Sequence, residues 1–381
     1  MSNCRPKIVI DATALPKKPV GAGRYIINLI HQILTINEEF DIKVIAHEDD
    51  FDLFDLNSDK KQHFIFIKDF GRAYRLIWEQ IELPFLLLKE KADCYHGLHY
   101  SRPILTPCPT ITTIHDMTFF VMPEKHIWLK RFYFRFFIIY SNWFSRLLLS
   151  VSENTKKDLK KFLNVSNEKI IVTPLGVSEK YKRINDDYLL DSTREKYHLP
   201  DQFLLFVGLI EPRKNVPLLL ESYAEIVKDN QNKDLKLVIA GRLGWGSDNI
   251  NQLVDKLEIN DDVFFPGYID EEDLPALLSL ADIFVYPSAY EGFGLPVLEA
   301  MACGTPVITT NVSSMPEFVG ENGILVPPND KPELVKAIKT MINQKNDVRF
   351  QSESLINQAK QFTWKKTAEL TLAAYSEVVK K

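Results

Sequence analysis

Two glutamates eight positions apart, Glu291 and Glu299, bracket the run Glu291-Gly292-Phe293-Gly294-Leu295-Pro296-Val297-Leu298-Glu299. An apolar, β-favouring segment, Ile283-Phe284-Val285-Tyr286-Pro287-Ser288, precedes it, and a helical pattern through Met301 follows. This order predicts a strand, a glycine turn and a helix beginning near Pro296, where proline's fixed φ and missing N–H do no harm. Gly292 and Gly294 let backbone approach a ligand closely. The free N–H groups and positive dipole end behind them suit an anionic or hydroxyl-rich group. Glu299 falls about one turn into the helix and points back towards its start, where a carboxylate accepts two hydrogen bonds from a ribose diol. Glu291, on the loop, meets whatever lies across the turn. For either glutamate alone, a solvated surface position is the plainer reading; the glycines and proline in register favour a site.

Upstream, Gly208-Leu209-Ile210-Glu211-Pro212-Arg213-Lys214-Asn215 directly follows another strand-like run. Arg213 and Lys214 are adjacent cations on that loop. A guanidinium offers fork-like hydrogen bonds to phosphate, and an ammonium adds a mobile point charge. A lone Arg-Lys pair is more often solvated surface; this one shares its domain with the glutamate run. In the first half, Gly21-Ala22-Gly23-Arg24-Tyr25 lies between a strand and a helical pattern but lacks the third glycine of a dinucleotide fingerprint, position 26 being Ile26. A plain helix start explains it equally. His115-Asp116 ends the strand-like Thr110–Ile114, and His96 and His99 lie at another strand end, where a structural role is at least as good a reading. Asp11 closes the opening strand. Asp50-Phe51-Asp52 has the spacing of a divalent-cation motif, but it opens an acidic helix-like segment without a glycine loop and reads as a solvated face. No His/Cys/Asp cluster has metal-ligand spacing, so no catalytic metal and no cofactor is expected.

The 381 residues suit two domains of ordinary size. With 45% hydrophobic and 25% charged residues the chain is neither disordered nor an integral membrane protein. Its net charge of −5 argues against a general nucleic-acid binder. No apolar signal region precedes the first strand. Cys4, Cys94, Cys108 and Cys303 fit neither a metal site nor a disulfide framework, Cys303 reading as a small buried thiol. A reducing, cytoplasmic setting is expected, in which the sequons at Asn164 and Asn311 carry no meaning.

Short β-type runs alternate with longer helical ones, the pattern of parallel sheets with crossover helices. One series of strands runs at 7–10, 42–46, 64–67, 94–96, 110–114, 147–151 and 170–173. A second runs at 203–207, 236–240, 263–266, 283–286, 307–309 and 324–326. The stretch between them is polar and interrupted. We therefore expect a first domain over 1–175, a linker region over 176–202, a second domain over 203–360 and a terminal helix over 361–381. Two doubly wound domains put their ligand loops on the strand C-terminal ends, so the fold class is α/β with two Rossmann-like parallel-sheet domains facing across a cleft.

The run from Glu291 to Glu299 resembles the Glu-x7-Glu signature of the family-4 retaining glycosyltransferases, two-domain enzymes of the GT-B fold that take a sugar from a nucleotide donor. The likeness covers almost the whole chain and is strongest over 203–330. It implies that Arg213 and Lys214 bind the donor phosphates and that Glu291 holds sugar hydroxyls, aided by the N–H groups of Phe293 and Gly294. It further implies that Gly208, Leu295 and Glu299 line the donor site, that Gly21 and Gly23 let backbone approach the donor phosphates, and that His115 contacts the transferred sugar. Configuration is retained, with the leaving phosphate assisting attack on the same face. The resemblance implies an acceptor-binding first domain and a nucleotide-sugar-binding second domain, and in this family the terminal helix crosses back onto the first domain. Trp78-Glu79-Gln80-Ile81-Glu82-Leu83-Pro84 is similar to a segment recurrent in mannosyl- and rhamnosyltransferases of surface polysaccharides. The best-matching subgroup is the mannosyltransferase B-like enzymes of O-antigen and capsule assembly. It implies transfer of mannose from GDP-mannose to a growing glycan or lipid-linked glycan, with no metal. A nucleotide-sugar epimerase, a phosphorylase or a non-catalytic nucleotide-sugar-binding protein on the same fold are the competing readings.

Segment Ile127–Leu149 is rich in Phe, Tyr, Trp and Leu but interrupted by Lys130, Arg131, Arg135 and Arg146, so it is no transmembrane span. It suits a helix at the anionic inner face of a membrane and equally a large domain helix with one wet edge; the core reading leads.

Overall fold

The computed structural model describes residues 5–380 except 18, 70, 229–233, 243, 245–248 and 344–347. Cys4 therefore lies outside the described residues. The chain divides into two compact units, Met1–Gly176 with Thr363–Lys381, and Val177–Phe362.

The first unit is built on a seven-stranded sheet of β1 (Lys7–Asp11), β2 (Asp41–His47), β3 (Phe64–Ile67), β4 (Cys94–Gly97), β5 (Thr110–Ile114), β6 (Leu147–Ser150) and β7 (Ile170–Val172). Their order is β3-β2-β1-β4-β5-β6-β7, and every pairing is parallel. Strand burial follows from sequence: Ile8, Val9 and Ile10 are fully buried, as are all five residues of Thr110–Ile114. Continuous rather than alternating burial marks a sheet covered on both faces. The second unit carries β8 (Gln202–Val207), β9 (Leu235–Ala240), β10 (Val263–Gly267), β11 (Ile283–Tyr286), β12 (Val307–Thr310) and β13 (Ile324–Val326). Their order is β10-β9-β8-β11-β12-β13, again all parallel.

Each sheet reverses its winding once, between β1 and β4 in the first and between β8 and β11 in the second. In doubly wound sheets ligands bind outside the strand ends at such a switch point. The loops carrying Arg213 and Glu291 leave β8 and β11 respectively, so the topology brings together two segments about 75 residues apart in sequence, and the Ser288–Arg213 pair is separated by |i−j| = 75.

One boundary differs from the expectation. The stretch expected as a linker over 176–202 is built into the second unit. Its helix Asp187–Lys196 is capped by the Asp186 side chain, and Lys196 bridges Asp270 at 2.8 Å and Asp273 at 2.7 Å. Polar composition there reflects surface ion pairs rather than a free connector. The terminal helix Trp364–Val379 belongs to the first unit, where Trp364, Ala368 and Tyr375 are buried. Tyr375 Oη lies 2.8 Å from His96 Nδ1, and His96 Nε2 is 2.8 Å from Thr113 Oγ1. Fully enclosed, His96 is held to a pKa of about 3 by burial, next to His115. It is a satisfied structural histidine.

The helix Trp128–Phe144 departs from the core reading. Phe137, Ile138 and Ser141 are buried, but Trp128 is 73% exposed, Phe132 69% and Trp143 70%. Among the described residues no helix is long and apolar enough to cross a membrane.

Candidate functional site

Glycine sets the shape of the loop after β11. Gly294 takes φ +106°, and a Cβ there would fall 2.5 Å from Met315 Cε. Only a residue without a side chain fits that turn. The helix Leu295–Ala302 starts at once, with Pro296 in its first turn, as proline's geometry favours. Ser314 Oγ donates to Phe293 O at 2.6 Å, and Ser313 Oγ accepts from Glu291 N at 2.8 Å and donates to Glu291 O. The loop is therefore fixed from outside by two serines that precede the helix Met315–Val319. The N–H groups of Phe293 and Gly294 have no backbone acceptor among the described residues.

Glu291 reaches back across this turn. Its Oε2 accepts from Arg213 Nη1 at 2.6 Å and its Oε1 from Lys214 Nζ at 2.5 Å. Ser288 Oγ at 2.7 Å and Tyr286 Oη at 3.2 Å also donate to Oε1. Arg213 is held in turn by Glu211 Oε1, at 2.7 Å from Nη2 and 3.1 Å from Nε, and by Tyr290 O at 2.9 Å. Lys214 donates to Tyr286 Oη and sits 5.0 Å from the centroid of that ring. Glu291 and Lys214 are 7% and 8% exposed, which makes this a buried ionic network rather than a surface pair.

Burial works against the Glu291 carboxylate. The positive charges of Arg213 and Lys214, with hydrogen bonds from Lys214 and Ser288, outweigh it and bring the pKa down to about 2. Burial and the neighbouring guanidinium lower Lys214 from its ordinary value, against the pull of Glu291. Burial, then the Glu291 charge, push the Tyr286 phenol well above its usual range. The carboxylate is thus ionised and the phenol protonated at neutral pH. Two cations are balanced by two carboxylates, so the network is close to neutral until a further anion arrives. A carboxylate ionised this firmly is poorly suited to proton transfer and well suited to fixing cations and hydroxyls.

The remaining second-unit candidates lie on the same edge of the sheet. Gly208 follows β8, its N–H donating to Ala240 O at 2.9 Å. Its carbonyl is so near Gly241 that a Cβ there would lie 1.9 Å from it. Leu295 opens the helix, and Glu299 is its fifth residue, 5% exposed. The Phe293 side chain packs on Phe318 at 5.2 Å and faces the core. Its backbone alone is available to a ligand.

In the first unit the other candidates meet through Tyr25. Gly21, at φ +51°, caps the helix Ala22–Ile36 and accepts from Tyr25 N at 3.2 Å, and the Tyr25 ring stands edge-on to His115 at 4.9 Å. A Cβ on Gly23 would come within 3.0 Å of Pro16 Cδ, so tight packing of that loop explains this glycine. His115 is 8% exposed, and its Nε2 lies 2.8 Å from Leu98 O. A carbonyl partner requires a proton on Nε2 and leaves Nδ1 as the acceptor of the neutral ring. Burial lowers its pKa, opposed by the Leu98 bond. Asp11, also buried, accepts from Thr13 N at 2.8 Å and Tyr95 Oη at 3.0 Å. Asp50 and Asp52 lie in a 3₁₀ turn, Glu48–Phe54, and no group of three or more His, Cys, Asp or Glu is gathered for a metal among the described residues.

Sequence reasoning missed Glu211, Tyr286 and Ser288. Their signal was position: Glu211 is two residues before the arginine, Tyr286 ends β11, and Ser288 lies between that strand and Glu291.

A buried ionic cluster at the switch point of a parallel sheet marks a ligand site of the doubly wound α/β class, and comparison with known proteins makes the family definite. Residues 19–181 match the family described as Glycosyltransferase Family 4, and residues 191–362 match Glycosyl transferases group 1. The chain is 32% identical over 380 residues to the O-antigen chain mannosyltransferase B of Escherichia coli, covering 96% of this chain and 99% of that one. Over 281 residues it is 26% identical to the serotype-specific mannosyltransferase WbdA of Escherichia coli, covering 72% of this chain and 34% of that longer protein. In fold it is similar to Anabaena HepE, solved in complex with UDP and glucose, with a TM-score of 0.76, 18% identity and coverage of 98% and 100%. The chain belongs to the family-4 glycosyltransferases and has their GT-B fold, as the glutamate signature implied.

Proposed function

We propose that this protein transfers mannose from GDP-mannose, with retention of configuration and without a metal ion, to a growing lipid-linked or surface glycan. Whole-length similarity to an O-antigen mannosyltransferase supports the sugar and the acceptor class. The single observation that carries the chemistry is the convergence of Arg213, Lys214 and Glu291 at the switch point of the second sheet.

In this reading the donor diphosphate is bound by Arg213, Lys214 and the N–H groups of the Gly294 turn. The acceptor hydroxyl attacks the anomeric carbon while the bond from that carbon to the phosphate oxygen breaks. The hydroxyl proton passes to the departing phosphate on the same face. Arg213 and Lys214 stabilise the charge that develops there, an effect of about 3 kcal/mol for one well-placed donor. No general acid is required, because a diphosphate leaves readily. Glu291 keeps both cations in place and accepts from sugar hydroxyls; Glu299 takes the ribose diol. His115 contacts the transferred sugar through its Nδ1.

Turnover of GDP-mannose with a lipid-linked glycan acceptor, followed in the presence of excess EDTA, tests this directly. Transfer that persists in EDTA and disappears in Glu291→Ala, with a folded variant, is expected. Thermal stabilisation by UDP-sugars alone would overturn the donor assignment.

A further inference from the structure

The first unit presents a large apolar face to solvent. On the helix Trp128–Phe144, Trp128, Phe132, Phe136 and Trp143 are 73%, 69%, 44% and 70% exposed. At 3.6 residues per turn those four lie within about 80° of one another, opposite Phe137, Ile138 and Ser141, which face the core. The helix Gly71–Glu90 carries a matching stripe, in which Ile77, Ile81, Phe85 and Leu88 are 55%, 57%, 69% and 57% exposed at spacings of three and four. Ile104 and Leu105 lie on the loop joining β4 to β5, 41% and 77% exposed. That loop is stitched to both helices: Ile104 N donates to Gln80 Oε1 at 2.9 Å, and Tyr140 Oη donates to Ile104 O at 2.7 Å. Two stripes and the loop between them form one surface. Soluble proteins rarely leave such a patch uncovered without a use for it.

Charge identifies what covers it. Over 127–149 the chain has four cations, Lys130, Arg131, Arg135 and Arg146, and no acid, in a protein of net charge −5. Helix Gly71–Glu90 is balanced, with three basic and three acidic residues, so the excess is local to the second stripe. On the helical wheel Arg131 and Arg135 fall along one edge of the apolar stripe, and Lys130 lies on the opposite side of the helix. Arg135 also sits 4.7 Å from the Phe120 ring, which keeps that edge ordered. A second copy of the chain would set this positive face against itself. Tryptophans near both ends of the stripe, with cations along one edge, match the interfacial zone of a bilayer.

We propose that this face docks the protein on the surface of a bilayer rich in anionic phospholipid, with both helices lying in the headgroup plane. The inference deepens the reading of a lipid-linked acceptor by assigning the surface that meets its membrane, and it rests on that reading only for its purpose.

Vesicle co-sedimentation of the full chain tests it without donor or acceptor, so a failure here leaves glycosyl transfer untouched. The wild type should sediment with vesicles of phosphatidylcholine plus phosphatidylglycerol and much less with phosphatidylcholine alone. High salt should reduce the bound fraction. Arg131→Glu with Arg146→Glu should weaken binding at least about tenfold, since each basic residue near an anionic surface contributes a factor of about five. Phe132→Ser with Trp143→Ser should abolish binding while melting at the wild-type temperature, both side chains being mostly exposed. A wild type that stays in the supernatant, or variants that sediment as it does, would overturn the proposal. So would a dimer seen by light scattering that the Phe132/Trp143 variant dissolves.

Discussion

Glu291 has more partners than a carboxylate on a loop usually gathers, and its removal has consequences beyond catalysis. Glu291→Ala removes one of the two carboxylates that balance Arg213 and Lys214 and leaves Lys214, nine-tenths enclosed, without its carboxylate partner. Breaking a buried pair in this way typically costs about 3–5 kcal/mol. Loss of stability on that scale in urea titrations is expected alongside loss of transfer, and Glu291→Gln should recover part of the stability while remaining inactive. The pH dependence has a definite sign. The folded pKa of about 2 lies below the ordinary 4.5 of a glutamate, so the unfolded chain binds the extra proton. Stability from this group is full above about 4.5 and is lost as pH falls towards 2, a contribution of roughly 3 kcal/mol. Wild type should lose its advantage over Glu291→Gln across that window. Glu79 behaves oppositely. Only 1% exposed, it accepts from Ser101 Oγ at 3.0 Å and Arg75 Nη1 at 3.2 Å, yet burial, only partly offset by Arg75, pushes its pKa up to about 7. A raised acid stabilises the fold below about 4.5 and loses that contribution as pH rises through 7. Melting temperatures of Glu79→Gln relative to wild type should therefore shift in favour of the variant between pH 5 and pH 8; an unchanged difference would show that Glu79 titrates normally.

Elements make these residues neighbours, and here the sequence was legible to different depths. All thirteen strands lie where β-branched and apolar runs place them, because a strand buried on both faces must be apolar throughout. The strand–glycine–helix order around Glu291 was equally readable, since Gly294 and Pro296 each permit only a narrow geometry. Ion pairing was not. Nothing local to Arg213 indicates Glu291, 78 residues away, as its partner; only the switch in strand order brings them together. The exposed side of helix Trp128–Phe144 was illegible for another reason: apolar residues surround it, and periodicity cannot say which apolar face finds a neighbour. The glycines offer an element-scale test. Gly294→Ala combines a left-handed φ with a collision against Met315, whereas Gly21→Ala meets open space and strains only the backbone. Both should destabilise, Gly21→Ala by about 1–2 kcal/mol and Gly294→Ala by more, with only the latter disordering the turn that presents Glu291. Equal midpoints in denaturant would contradict the packing account.

At the scale of the molecule, the chain completes its first unit last. The helix Trp364–Val379 packs on Ala22–Ile36 and buries Trp364, Ala368, Ala374 and Tyr375, with Tyr375 bonded to His96 inside the first sheet. Gly176 shows how closely the return is fitted, since a Cβ there would lie 2.1 Å from Trp364 N. Burying one large apolar side chain contributes about 1.5–3 kcal/mol, so this helix supplies an amount comparable with the whole stability of a typical domain. Each unit has its own parallel sheet and core, and the chain passes between them only at 176/177 and 362/363. Two calorimetric transitions are therefore expected, each responding to a different perturbation. A donor nucleotide, binding residues of the second unit, should raise one transition by mass action and leave the other nearly in place. Deleting Thr363–Lys381 should abolish or sharply lower the other transition while the donor-sensitive one survives. If truncation lowered both transitions equally, the helix would be supporting the second unit as well, and the division of stability at Phe362 would be wrong.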